Sequence, residues 1–294
     1  MVSSYTAVRF FQSSAQITRE TITTRSETLR VARLRADVQE GTQLEIAQAQ
    51  SQLASAQASL PILAAQAKVN TFRLATLLNM PTSDIDTILK NGGGIPMPAL
   101  PAIGVPADVL RNRPDIRSAE RNLAAATANI GVTEALLYPS LSLSGVVTAS
   151  DPDSWSFGPS FTVPVFDRYV LRANRDVAES QARQAELAYR QSFIAAIEEV
   201  QTALALAQAR REQVAAFTTA AGSSERALNL AARSYEGGVS VIDTVLDAER
   251  ARLSDRLSLA QAQNDYVQSW VSLQVAVGKG WAVSPEQAKT AILN

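Results

Sequence analysis

Tyr138-Pro139-Ser140-Leu141-Ser142-Leu143-Ser144-Gly145-Val146-Val147-Thr148-Ala149 is where the sequence changes from a helical to an alternating period, and its reading decides the fold. Leu141, Leu143, Val147 and Ala149 share one face of an extended strand; Ser140, Ser142, Ser144 and Thr148 share the other. After a short Asp151-Pro152-Asp153 turn, Trp155, Phe157, Phe161, Val163 and Val165 repeat the alternation against Ser156, Ser160 and Thr162. The pattern predicts a β-hairpin with one greasy face and one face of small polar groups. Two strands alone are not stable in water. The hairpin therefore needs either lipid and neighbouring strands, or the second layer of a soluble sandwich.

The surrounding sequence predicts helix. Upstream, Arg113-Pro114-Asp115-Ile116 announces one: proline suits the first turn, and an acid there complements the helix dipole. The segment 107–138 is read as this helix, stopped by Pro139. Downstream, Arg168 to Tyr235 is free of proline, and Phe193, Ile197, Val200, Leu204 and Ala207 are spaced as a coiled-coil seam. At 1.5 Å per residue such a helix is a rod of ~100 Å. Glu236-Gly237-Gly238-Val239-Ser240 breaks it, and a second arm runs to about Val277 with Leu246, Leu253, Ala260 and Val267 spaced by seven. The hairpin segment is thus 139–166, the long helical hairpin 167–278 with its turn near 236–243, and 279–294 a tail.

The first 79 residues predict another helical hairpin, turning at Asp37–Thr42, with Pro61 expected to kink or break its second arm. Residues 80–106, with Asn91-Gly92-Gly93-Gly94-Ile95-Pro96-Met97-Pro98, read as a Gly/Pro-rich linker. Sliding the chain by 199 positions lays the early hairpin over the late one. Leu29 meets Leu228, Ala32 meets Ala231, Ala49 meets Ala248 and Leu74 meets Leu273, and both arms stop together near Asn79 and Gly278. The shared layout suggests a duplication.

Composition narrows the function. Lys and Arg number 27 and Asp and Glu 28, a net charge of −1, without the cationic surplus that binding nucleic acid requires. The chain has no His and no Cys, so the commonest general base, thiol nucleophiles and thiolate metal sites are absent. No motif organises its carboxylates, lysines or hydroxyls for catalysis, and neither an enzyme nor a cofactor is expected. No signal peptide opens the chain, and no apolar run approaches the ~18 residues of a membrane-spanning helix, although a β-barrel strand escapes that test.

Several blocks, taken in order, resemble outer-membrane factors, the TolC-like exit ducts of tripartite efflux systems, and within them the NodT/OprM-type branch. They are Gly41-Thr42-Gln43-Leu44-Glu45-Ile46-Ala47, Arg113-Pro114-Asp115-Ile116-Arg117, Ala128-Asn129-Ile130-Gly131-Val132, Tyr138-Pro139-Ser140-Leu141-Ser142-Leu143, Trp155-Ser156-Phe157-Gly158-Pro159-Ser160, Pro164-Val165-Phe166-Asp167 and Leu171-Arg172-Ala173-Asn174. The resemblance implies a mainly α protein whose long coiled-coil hairpins form a periplasmic α-barrel, with a β-hairpin contributed to a trimeric transmembrane β-barrel. It also implies a homotrimer in outer-membrane lipid, a periplasmic adaptor and a proton-driven inner-membrane pump of the RND type. The family pattern begins with an export signal, often a lipidated Cys, then a helix and a first β-hairpin. Against it, this chain reads as N-terminally incomplete, with two strands where the pattern has four. The competing reading is a soluble coiled-coil interaction protein, or a non-functional remnant, produced by truncation.

In the family the turn of the second helical hairpin forms the periplasmic constriction. The resemblance places Asp247 on the aspartate of its Leu-Asp-Ala motif and Tyr235 on the aromatic before the turn. Asp243 lies one helical turn before Asp247, Arg250 is spaced to pair with Asp247, and Gly237 and Gly238 permit the tight turn; the resemblance implies that an adaptor docks at that turn. Three copies would stack acidic rings that favour cations. Simpler readings stand beside these: Ser240-Val241-Ile242-Asp243 as a capping box, Tyr235 as tip packing, Arg113-Pro114-Asp115 as a helix start, and Trp155 as either an interfacial aromatic or a strand-packing residue.

Overall fold

The computed structural model describes residues 1–90, 93–100, 113–149 and 151–278. Its elements are α1 (Val2–Asp37), α2 (Gln43–Leu78), α3 (Thr82–Lys90), α4 (Pro114–Ala135), β1 (Ser140–Thr148), β2 (Ser154–Thr162), α5 (Arg168–Glu236) and α6 (Ile242–Ala276). The predicted C-terminal tail, 279–294, lies outside the described residues, as do 91–92 and 101–106 of the predicted linker and 107–112 of the helix predicted over 107–138. The chain divides into two compact units, Met1–Ile103 with Gln201–Val275, and Gly104–Val200 with Ala276–Asn294.

The first unit packs α1 and α2 with α6 and the later part of α5. Its core at the turn end joins Leu29, Ala32, Ala49, Leu228, Ala231, Tyr235, Ile242, Val245 and Leu246. The duplication is written in its backbone. All four positive-φ residues of the described chain fall into two pairs 199 residues apart: Gln39 (62°) with Gly238 (72°), and Asn79 (51°) with Gly278 (77°). The turns share one hydrogen-bond plan. Arg35 O accepts from the Glu40 and Gly41 N–H groups at 2.8 and 3.0 Å; Ser234 O accepts from Val239 and Ser240 at 2.8 and 3.2 Å. Each satisfies carbonyls that a helix end would otherwise strand.

Several expectations change. Thr82–Lys90 inside the predicted linker is a helix, because Ile85 and Leu89, four apart, bury themselves on Val8, Leu74 and Ala75. Pro61 does not break α2, which runs through it from Gln43 to Leu78. In α5 the buried line is Ala196, Val200, Ala203 and Ala207, which includes Val200 and Ala207 of the expected seam, while Phe193, Ile197 and Leu204 are only half-buried. Small side chains let helices approach closely, so the alanines take the centre of the contact and the larger residues its flanks. The seven-residue spacing on α6 does reach the core, where Leu246, Ala260 and Val267 are buried.

The second unit holds α4, the hairpin and the early part of α5. Pro114 occupies the first turn of α4, and Asp115 Oδ1 accepts the Ile116 N–H at 2.9 Å. Arg113 does more than start the helix. Its guanidinium donates to both oxygens of Asp115 (3.1 and 2.7 Å), to Glu199 Oε2 on α5 (2.6 Å) and to the Ala276 carbonyl at the end of α6 (2.8 Å). The bonds from Arg113 hold the Asp115 carboxyl below its ordinary range. The α-helix stops at Ala135; Leu137 and Tyr138 N–H groups bond back three residues, tightening the chain before Pro139.

The strands pair antiparallel, and the register puts Leu141 opposite Phe161, Leu143 opposite Pro159, Gly145 opposite Phe157 and Val147 opposite Trp155. Every residue of that face is apolar or glycine. The other face pairs Ser140 with Thr162, Ser142 with Ser160, Ser144 with Gly158, Val146 with Ser156 and Thr148 with Ser154. A Cβ at Gly145 would lie 3.2 Å from the Phe157 ring, so the glycine makes room for it. The strands end at Thr148 and Thr162, which leaves Ala149, Val163 and Val165 outside the alternation.

The turn geometry carries a prediction. Gly238→Ala places a Cβ on a left-handed residue and is expected to cost about 1 kcal/mol, whereas Gln39→Gly at the matching position is expected to be neutral or stabilising. Opposite shifts of the two urea midpoints would bear this out.

Candidate functional site

The turn end of the first unit concentrates the polar chemistry. Tyr235, one residue before the end of α5, is 2% exposed. Its ring lies beneath the Arg35 guanidinium, 4.6 Å from the centroid, and Arg35 Nη1 donates to its carbonyl at 2.6 Å. The Tyr235 hydroxyl donates to Glu45 Oε2 on α2 at 2.9 Å. Burial, with the Glu45 carboxylate added, pushes the phenol up to about 12. One side chain thus ties α5 to both helices of the first hairpin.

Of the residues singled out from sequence, Asp247 and Arg250 meet: Nη1 to Oδ1 is 2.5 Å, on the exposed face of α6. Asp243 is exposed in the first turn of α6, on the same side as Asp247 by spacing. Gly238 takes the left-handed turn position, and at Gly237 a Cβ would meet the Arg233 carbonyl at 3.3 Å. Tyr235 faces inward, into the core and not with the acids. The capping box expected of Ser240 does not form: the helix begins at Ile242, one residue too late, and Ser240 Oγ is buried without a partner. In the first turn Thr42 does cap, accepting the Glu45 N–H at 3.3 Å.

The structure adds a buried polar line that periodicity had not signalled. Glu249 Oε1 accepts from Thr28 Oγ1 at 2.6 Å, Glu249 Oε2 lies 3.5 Å from Arg25 Nε, and Arg25 Nη1 donates to the Gln52 carbonyl at 2.7 Å. Arg256 bonds Glu20 and Arg252 bonds Glu225. Burial raises the Glu249 carboxyl above its ordinary value, against the pull of Thr28 and of Arg25, Arg252 and Arg250. Burial likewise lowers Arg25. Such charges inside an alanine-rich contact are invisible to a reading that sorts positions by polarity. Glu45 had one signal, the Thr42-x-x-Glu45 capping-box spacing.

The family profile described as outer membrane efflux protein matches residues 105–279. The chain belongs to the outer membrane efflux protein family. It is 32% identical over 96% of its length to nodulation protein T of Rhizobium leguminosarum bv. trifolii, and 34% identical over 97% to the toluene efflux pump outer membrane protein TtgI of Pseudomonas putida. The chain spans 62% of the length of each of these relatives. Among solved structures it is similar to the outer-membrane channel OprN, with a TM-score of 0.82 and 33% identity over 95% of this chain and 65% of that one. The open state of the MtrE outer membrane channel of Neisseria gonorrhoeae gives a TM-score of 0.78 and 29% identity, with the same two coverages. The segment matched to the efflux protein family contains Tyr235, Gly237, Gly238, Asp243, Asp247 and Arg250; Arg25, Arg35 and Glu45 lie upstream of it.

Two predictions follow from this geometry. Tyr235→Phe keeps the ring under Arg35 and removes the bond to Glu45, at an expected cost of about 1–3 kcal/mol in chemical denaturation, because a charged acceptor loses its donor. Glu249 sets a pH dependence. Its folded pKa lies above the ordinary 4.5, so its contribution to stability is full below that value and is lost as pH rises through the raised one. Glu249→Gln does not titrate. The stability of the variant relative to the parent is expected to rise across that window, measured as the difference in urea midpoints at a series of pH values.

Proposed function

We propose that the chain forms part of the wall and gate of a passive exit duct through the outer membrane and periplasm, in an assembly of three copies. The observation that carries this reading is the hairpin. Leu141, Leu143, Val147, Trp155, Phe157 and Phe161 lie on one face and are each between 65% and 83% exposed, opposite a face of Ser and Thr interrupted by Val146 and Gly158. Transferring six such side chains from water to lipid is worth on the order of 10 kcal/mol. Nine-residue strands at a ~45° tilt rise ~20 Å, close to the apolar band of an outer-membrane barrel. Phe166, 97% exposed, and Tyr169 follow the hairpin at its open end, as Trp155 stands near its turn, the placing expected of two interfacial girdles. No helix among the described residues is long and apolar enough to cross a membrane.

In this reading α5 and α6 carry the conduit from the barrel to a periplasmic tip. Asp243 and Asp247 from three copies narrow it, Arg250 steadies Asp247, and the Gly237-Gly238 turn meets an adaptor coupled to a proton-driven inner-membrane pump of the RND type. The relatives named for efflux support an export role; energy comes from the pump, and the duct itself performs no catalysis.

The test is reconstitution of the purified protein in planar bilayers. The expected result is a small, cation-selective closed-state conductance that rises several-fold in Asp247→Ala, where the Asp247 ring and its pairing with Arg250 are lost. Unchanged conductance and selectivity would remove Asp247 from the gate, and a parent protein that never inserts would remove the duct reading.

A further inference from the structure

The Arg25–Glu249 pair is almost wholly buried, with side chains 5% and 2% exposed, one helical turn from the buried Leu29, Val245 and Leu246. Burying an ion pair is a poor way to stabilise a helix bundle, since apolar residues of similar volume often do as well or better. A different role fits its surroundings. The apolar residues that α6 offers repeat every seven, and α1 meets them with Leu29 and Ala32, a pattern that does not by itself single out one axial setting. The pair is specific to one setting. Thr28 and Arg25 from α1 both reach Glu249, Arg25 also holds the Gln52 carbonyl of α2, and Arg256 bonds Glu20 seven residues further along α6. The duplication sharpens the point: the positions 199 residues removed from Arg25 and Glu249 are Ser224 and Gln50, both neutral. The ionic contact therefore distinguishes α1 against α6 from its pseudo-symmetric counterpart.

We propose that Arg25, acting through Glu249, is the positioning residue that sets the register and rotation of α6 against α1. It thereby fixes the direction in which Asp247 and Arg250 face. Glu249 is buried while Asp247 and Arg250, on either side of it in sequence, are exposed, so turning Glu249 inward is what turns them outward. The consequence for gating rests on the functional reading above; the register itself does not.

The chain has no cysteine, so spin labels can be attached at Arg33→Cys on α1 and Ser254→Cys on α6, both exposed, and their separation read by pulsed electron resonance. In the Arg25→Met/Glu249→Leu double variant the helices are expected to form with an equal or higher urea midpoint. The distance distribution should nonetheless broaden or gain a second population, the seven-residue repeat corresponding to an axial shift of about 10 Å. Glu249→Gln, which keeps the side chain's shape and an oxygen for the Thr28 hydroxyl, is expected to retain the single parental distance. A narrow parental distribution in the double variant would overturn the proposal. Loss of its helical circular dichroism would overturn it as well, since the pair would then be a stabiliser. If the distances shift as expected while Asp247→Ala leaves conductance unchanged, the register role stands and the gate reading falls.

Discussion

Close helix–helix contact through alanine is the constraint on which the rest of the first unit depends. Ala32, Ala49, Ala56, Ala260 and Ala262 are buried at or below 3% exposure. Each removes little apolar surface from water, so a contact made of them gains mainly from dispersion and close approach. Such a contact tolerates sliding. Unique settings must then come from groups that fit in only one place: Tyr235 between Arg35 and Glu45, and Glu249 between Thr28 and Arg25. These buried polar groups are the natural complement of an interface that supplies proximity but little direction.

The hairpin obeys the opposite logic. Its backbone bonds pair the strands, yet the apolar face built by that pairing finds no cover within its own unit. Lipid outside and water inside would satisfy the two faces at once. A soluble sandwich would satisfy only the greasy one and would need a second layer. The same hairpin therefore links local alternation to the environment the protein requires.

The duplicated hairpins show how one backbone plan is met by different residues. Gln39 and Gly238 both take the left-handed turn position, and Asn79 and Gly278 both close the second arm. Glycine adopts that conformation freely, asparagine with modest strain and glutamine with more. The hydrogen bonds of the two turns correspond bond for bond. The tips diverge in their helix starts: Thr42 caps α2 with its hydroxyl, whereas Val241, at the matching position, has none to offer.

The sequence by itself determined the elements whose cause is local. Alternation placed both strands and both of their faces, proline and glycine marked the turns, and the 199-residue offset identified the positions that share a backbone conformation. It missed the helix at Thr82–Lys90, which forms where Ile85 and Leu89 pack on Val8, Leu74 and Ala75, and it expected Pro61 to kink or break an arm whose helix runs through it. Of the tip residues, Asp247 and Arg250 were legible because they lie on one helix at a spacing that lets them meet. Arg25, Glu249, Arg35 and Glu45 were not, because their partners lie on other helices, up to 224 residues away, and only the packed structure brings them within bonding distance. Periodicity reports which face a residue occupies; which charge waits on the facing helix is decided by register, and register is a property of the tertiary structure alone.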